Sequence, residues 1–190
     1  MKLSAHKTLQ KGFTLIELLV VIGILGILAA ALVATIDPFE QIQKGEDSKI
    51  KNMAVEFHTG LVRYYTTHGS FPWNDVNSDN TDCTALGAGA IDALTLNANG
   101  MIDCLEGSSY SLIDDGELKA AFTSNENDLA EVHVSWDPSN GSDVVICFAP
   151  VSKAQKASSE TKYNDDGTDA DPNVCPDADV ADGTCYWCTR

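Results

Sequence analysis

Positive charge is scarce in this sequence and unevenly placed. Its 190 residues carry 12 Lys and Arg against 28 Asp and Glu, a formal net charge of −16. Lys2, Lys7 and Lys11 sit within residues 1–12, and a chain without that stretch keeps 9 basic residues against 28 acids and reaches −19. Such a surface repels phosphate backbones, which excludes nucleic-acid binding by bulk charge. Cysteine is absent before Cys83 and proline before Pro38. No Ser or Cys accompanies His6, His58, His68 or His133 in a recognisable triad, so nothing marks an enzyme. No internal repeat is evident.

From Leu18 to Ile36 there are 19 residues without a charge, and at ~1.5 Å per residue a helix of that length crosses a bilayer core. Residues 1–12, basic and free of acids, have the character of an export signal that stays on the cytoplasmic side. An ordinary secretory signal would be cut near Ala29 to Ala34, and Glu17 would then have no purpose. A carboxylate at the edge of hydrocarbon costs several kcal/mol, so it marks function, or else it snorkels to the membrane surface. Cleavage between Gly12 and Phe13 would instead leave the whole apolar run on the mature protein.

The residues around that junction, KGFTLIELL, carry a resemblance. Gly12, Phe13, Thr14, Leu15 and then Glu17 opening a charge-free span resemble the class III signal of type IV prepilins and type II secretion pseudopilins. The likeness is strong over about the first quarter of the chain. It implies a membrane-embedded prepilin peptidase that cuts after Gly12 and methylates the new amine of Phe13. It also implies pairing of Glu17 with the amino terminus of a neighbouring subunit during assembly. Coulomb attraction in a layer of low dielectric agrees with that role, because either charge alone is penalised there. Gly23 and Gly26 weaken the helix by ~1 kcal/mol each relative to Ala but allow close helix approach. Family members often carry a proline in mid-span, where this chain has Ala34.

Beyond Pro38, the residues Phe39, Ile42, Ile50, Met53, Ala54, Phe57, Leu61, Tyr64 and Tyr65 recur mostly at helical spacing. The spacing predicts one long helix from Thr14 to His68, with Pro38 and Gly45 as soft points, ended by Gly69 and Pro72. The turn Gly69 to Trp73 (GSFPW) resembles the one that follows the long helix in major pseudopilins and many pilins. Residues 74–107 read as a surface loop with a helical turn at Ala90 to Leu94, and a short helix is expected over Asp115 to Phe122. Strands are expected at Val132 to Trp136, Val144 to Ala149 and in the terminal CysTyrTrpCys. The expected fold is α+β, a long N-terminal helix packed on a small antiparallel sheet, as in pilins.

Six cysteines in an acidic, loop-rich region point to disulfides in an oxidising compartment. Cys83 with Cys104 is the first expected pair. Cys147 with Cys188 and Cys175 with Cys185 is one of several arrangements open to the rest. The CxxC spacing of Cys185 and Cys188 also fits a redox pair, or a zinc site completed by Cys147 and Cys175. Only Thr189 and Arg190 follow Cys188, too few for the helix that would lower a thiol pKa. Between Lys162 and Arg190 the charges are all Asp: Asp165, Asp166, Asp169, Asp171, Asp177, Asp179 and Asp182. Major pseudopilins hold calcium in a C-terminal loop, so calcium is a candidate ligand here, although an EF-hand frame fails because Gly167 would place Lys162 at the first ligand position. Asp75, Asn77 and Asp79 have D-x-N-x-D spacing without the closing Glu. The bland reading of both stretches is solvated loop. Asn140-Gly141-Ser142 matches a glycosylation sequon but reads better as a turn.

The expected organisation is therefore a leader (1–12), a membrane or filament-core helix half (13–36), an amphipathic half (37–68) and a disulfide-stapled globular domain (69–190). The resemblance implies a single-pass precursor in the cytoplasmic membrane that polymerises with itself through its N-terminal helix, aided by the peptidase/methyltransferase and an inner-membrane assembly machine. The product would be an extracellular pilus or, alternatively, a periplasmic pseudopilus of type II secretion. A membrane-tethered monomeric binding module is a rival of another class.

Overall fold

The computed structural model describes residues 12–35, 37–78, 80–107, 110–140 and 143–190. The three leader lysines, His6, Ile36, Asp79, Gly141 and Ser142 lie outside them. Compact packing divides the chain between Phe39 and Glu40.

Helix α1 spans Leu15–Thr35 and α2 spans Pro38–His68. The single helix expected from Thr14 to His68 is thus described as two, with Asp37 outside both. Proline explains the break, because its ring disfavours helical backbone in the residue before it and it has no N–H to donate. Pro38 takes the first position of α2, where that N–H is not needed, and the Asp37 carboxylate accepts from Phe39 N at 3.0 Å.

The buried face of α2 is Asp47, Ile50, Ala54, Phe57, Gly60, Leu61 and Tyr64. Phe39 and Ile42, expected on the same apolar stripe, are instead 76% and 60% exposed, and the buried residue near that end is the acid Asp47. Gly60 lets Leu118 approach closely: a Cβ there would lie 3.1 Å from its Cδ2.

Between α2 and the sheet come two short helices, α3 (Thr81–Ala85) and α4 (Met101–Glu106). Strand β1 (Ile91–Thr95) lies between them. This strand replaces the helical turn expected at Ala90 to Leu94. It pairs antiparallel with β2 (Val132–Trp136) through an irregular register, and Ala93 N donates to Ser135 Oγ at 2.9 Å. The helix expected over Asp115 to Phe122 is absent. Gly116 adopts φ +74° there, and Glu117 and Leu118 both donate to Leu112 O, so a tight turn is followed by a 3-10 turn at Ala120–Ser124. After α5 (Glu126–Leu129) and β2, β3 runs Val144–Phe148, one residue shorter than expected. Then follow α6 (Lys153–Lys156), β4 (Thr161–Tyr163) and β5 (Tyr186–Thr189).

The sheet order is β1-β2-β3-β5-β4, and every pairing is antiparallel. Val132, Val134, Ile146 and Phe148 of the sheet share one core with Ile50, Ala54, Phe57, Leu61 and Tyr64 of α2, and Phe71 and Trp73 join it. The fold is α+β, with an apolar N-terminal helix and a small antiparallel sheet.

Candidate functional site

The site begins where α1 begins. Thr14 and Glu17 stand three residues apart and satisfy each other. Glu17 N donates to Thr14 Oγ1 at 3.3 Å, while Thr14 N and Thr14 Oγ1 each donate to Glu17 Oε2 at 2.8 Å. This is a capping box, in which a Thr side chain serves a free amide of the first turn and the acid three residues on returns the favour. The T-x-x-E spacing of Thr14 and Glu17 signals this box in the sequence, within an otherwise apolar run. Glu17 is thus held beside the Gly12-Phe13 junction, with Oε1 unbonded among the described residues. Phe13 is 88% exposed, and a Cβ at Gly12 would meet nothing within 4 Å.

From Leu15 to Val33 the helix has a mean hydropathy of 2.8 and none of it is buried. Hydrocarbon surface that large cannot stay in water; lipid or other helices must cover it. Positions 23 and 26, both Gly, are open on the surface of α1.

Among the described globular residues, the cysteines and histidines are engaged in bridges and packing. Cys83 is bonded to Cys104, Cys147 to Cys188 and Cys175 to Cys185. Cys185 and Cys188 thus belong to different bridges, and the CxxC spacing makes neither a redox pair nor a zinc pair. His58 is half-buried in α2, and burial pulls its pKa down. Nδ1 of His133 lies 3.2 Å from Ala93 O, and Nε2 of His68 lies 3.5 Å from Asp115.

Among the described residues, no three His, Cys, Asp or Glu side chains converge as a metal site. The aspartates proposed for calcium serve their own loop. The carboxylate of Asp166 accepts from Thr168 N and Oγ1, that of Asp171 from Asn173 N and Nδ2, and that of Asp177 from Asp179 N. Asp165 accepts from Asp166 N, Asp169 lies 4.0 Å from Lys162, and Asp182 pairs with the buried Lys156, which also donates to Val180 O. These are Asx turns and ion pairs, the ordinary uses of Asp in a tight loop. Asp75, from the other acidic stretch, is buried and accepts from Tyr64 OH and from both nitrogens of Asn77.

Comparison with known proteins points to the same end of the chain. Residues 7–33 match the family model described as the prokaryotic N-terminal methylation motif. The chain is 27% identical over 186 residues to a type IV major pilin protein PilE1 of Neisseria gonorrhoeae, covering 90% of this chain and 89% of that protein. It is 31% identical over 102 residues to a fimbrial protein of Neisseria meningitidis, 54% of this chain and 58% of the relative. It is 28% identical over 133 residues to the fimbrial protein EcpC of Eikenella corrodens, 63% and 86% of the two chains. No solved structure matches. The chain thus opens on an N-terminal methylation motif that leads into an exposed apolar helix, carries a disulfide-bonded α+β domain, and is similar over most of its length to a type IV major pilin.

Proposed function

We propose that this chain is the structural subunit of an extracellular type IV pilus. It is made as a membrane-anchored prepilin, cleaved after Gly12, N-methylated at Phe13 and polymerised through α1. It is a structural protein and not an enzyme. The observation that carries the reading is the wholly exposed apolar span Leu15–Val33 beside a single carboxylate at its start. In the membrane, lipid covers that span; in a filament, other copies of α1 do. Glu17 then has two uses. Its Oε2 is tied to Thr14, which leaves Oε1 for the amine of Phe13 on an adjacent copy, a charge that would otherwise enter an apolar bundle alone.

The partners of this reading are other copies of the chain, a prepilin peptidase/methyltransferase and an inner-membrane assembly machine. A pilus is favoured over a type II secretion pseudopilus because the relatives named above are pilins and fimbrial proteins. Mass spectrometry of the mature chain is expected to show residues 13–190 with a methylated Phe13, and electron microscopy of sheared surface material is expected to show filaments containing it. An N-terminus near Ala30 refutes the processing. Retention in the periplasm together with a secretion defect on deletion makes the protein a pseudopilin. Correct processing with neither filaments nor a secretion defect makes it a tethered binding module.

A further inference from the structure

Four consecutive backbone amides, from residues 151 to 154, are all taken by two carboxylates of α2. Val151 N donates to Asp47 Oδ1 and Ser152 N to Asp47 Oδ2, each at 2.9 Å, and Ser152 Oγ also donates to Oδ2. Lys153 N donates to Glu40 Oε2 at 3.1 Å and Ala154 N to Glu40 Oε1 at 3.0 Å. The two acids are seven residues apart, two turns along one face of α2. Asp47 is 6% exposed and Glu40 lies nearer the surface, 3.9 Å from Lys44 Nζ.

Apolar packing does not attach this end of α2 to the domain. Its buried face starts at Asp47 and its first buried apolar residue is Ile50, while Phe39 and Ile42 point to solvent. A helix end without apolar anchorage frays, because each opened turn regains conformational freedom at little cost. Two carboxylates that accept charge-assisted bonds from backbone N–H groups supply the missing anchorage. Phe39 and Ile42, both exposed, follow the exposed apolar helix α1 in the sequence.

We propose that Glu40 and Asp47 are positioning residues for assembly: by gripping residues 151–154 they hold the start of α2 helical and present Phe39 and Ile42 to a second copy of this chain. The proposal rests on the filament reading above. Both acids lie outside the N-terminal methylation motif, residues 7–33, so processing is expected not to depend on them.

The test uses the full-length chain and the variants Glu40→Ala, Glu40→Gln and Asp47→Asn. Three quantities are read: amide exchange at residues 40–49 in detergent, the thermal midpoint, and the yield of sheared filaments per subunit in the cells. In Glu40→Ala, exchange is expected to rise about tenfold and filament yield to fall severalfold, with the midpoint within ~2 °C of the parent. Glu40→Gln keeps one acceptor oxygen and is expected to fall between the two. Asp47→Asn turns an amide NH₂ toward one of the two backbone donors, so exchange, yield and midpoint all worsen. Normal filament yield in Glu40→Ala despite faster exchange overturns the proposal, as does unchanged exchange. A midpoint that falls in step with yield across the Glu40 variants makes Glu40 a stability residue and also overturns it. The two readings fail separately. If Glu17→Val assembles normally while Glu40→Ala does not, the amine-pairing role is wrong and the grip stands. If the parent chain forms no filaments, both fall.

Discussion

Helix α1 and the residues after Phe39 solve the problem of water in opposite ways. In α1, every described side chain from Leu15 to Val33 is exposed, and among the described residues Thr14 and Glu17 bond each other at its start. Its helix follows from local rules: backbone bonds, one cap and no breaker until Pro38. The globular residues hold all but two of the 28 acids, Glu17 and Asp37 being the exceptions, and all six cysteines. There the polar groups are turned inward onto the chain's own backbone, as Asp47, Asp75 and Lys156 show. One region is folded but incomplete, and the other is complete within itself. The proposed passage from membrane to filament without refolding needs a chain divided in that way.

The contrast can be broken most sharply at Glu17. Glu17→Val is expected to leave cleavage after Gly12 intact, read by the mass of the mature chain, and to abolish filaments seen by electron microscopy. Gly12→Val is expected to block both, because only a residue without a side chain lets the peptidase reach the backbone closely. Normal filaments from Glu17→Val would remove the functional half of the contrast.

The second test breaks the other region. The bridges close spans of 21, 41 and 10 residues, so the loop-entropy model gives the largest contribution to Cys147–Cys188, about 4 kcal/mol. Replacing both cysteines by Ser should lower the thermal midpoint by roughly 8–16 °C. Helicity of α1 in detergent should not change. A midpoint unchanged in the double Ser variant would show that this staple contributes nothing.

A smaller effect is expected at the cap. Thr14→Val removes the hydroxyl while keeping the shape, at a cost of ~1 kcal/mol, and faster amide exchange should be confined to Leu15 through Leu18. Thr14→Ser should behave as the parent. Equal exchange in Thr14→Val would mean that the capping box is idle.

The smallest effect concerns acid. Bonds from Ser139, first its hydroxyl and then its amide, hold the Asp137 carboxyl below the usual carboxylate range, and Thr168 does the same for Asp166. The Asn173 amide and then its side chain lower Asp171. Groups lowered in the folded state favour it above their unfolded pKa, near 4, and that contribution fades as pH falls through the lowered values. Urea midpoints should therefore drop slightly from pH 4 downward, and less so in Asp166→Ala. Burial pushes the Asp115 carboxyl up, against the pull of His68, so Asp115 acts in the reverse sense: its contribution is present below the unfolded pKa and lost as pH rises through the raised value. Equal acid slopes in the parent and Asp166→Ala would remove the Asx turns from this account.

The features legible in the sequence were those set by neighbours in the chain. The apolar run, the stripe from Ile50 to Tyr64 and strands β2 and β3 all follow from period and composition. What was not legible depends on distant partners. Strand β1 has weak strand character and exists because β2 lies beside it. Ile42 fits the α2 stripe by spacing, yet it is exposed because residues 151–154 offer backbone amides rather than apolar side chains at that end. At the candidate site, Gly12, Phe13 and Glu17 are marked by motif, and the Thr14 partnership follows from the T-x-x-E spacing.

The strand nearest the carboxyl end, β5, does not lie at the margin of the sheet but between β3 and β4. Synthesis runs from the amino end, so β4 emerges with only the short bridge from Tyr163 to Asp169, and its β5-facing edge stays unpaired until residues 186–189 have followed it. The edge of β3 likewise waits open, with Cys147 reduced or wrongly engaged until Cys188 arrives. The domain is thereby obliged to close last at its final residues, and a chain stalled before them is left with two unpaired edges that quality-control proteases can recognise.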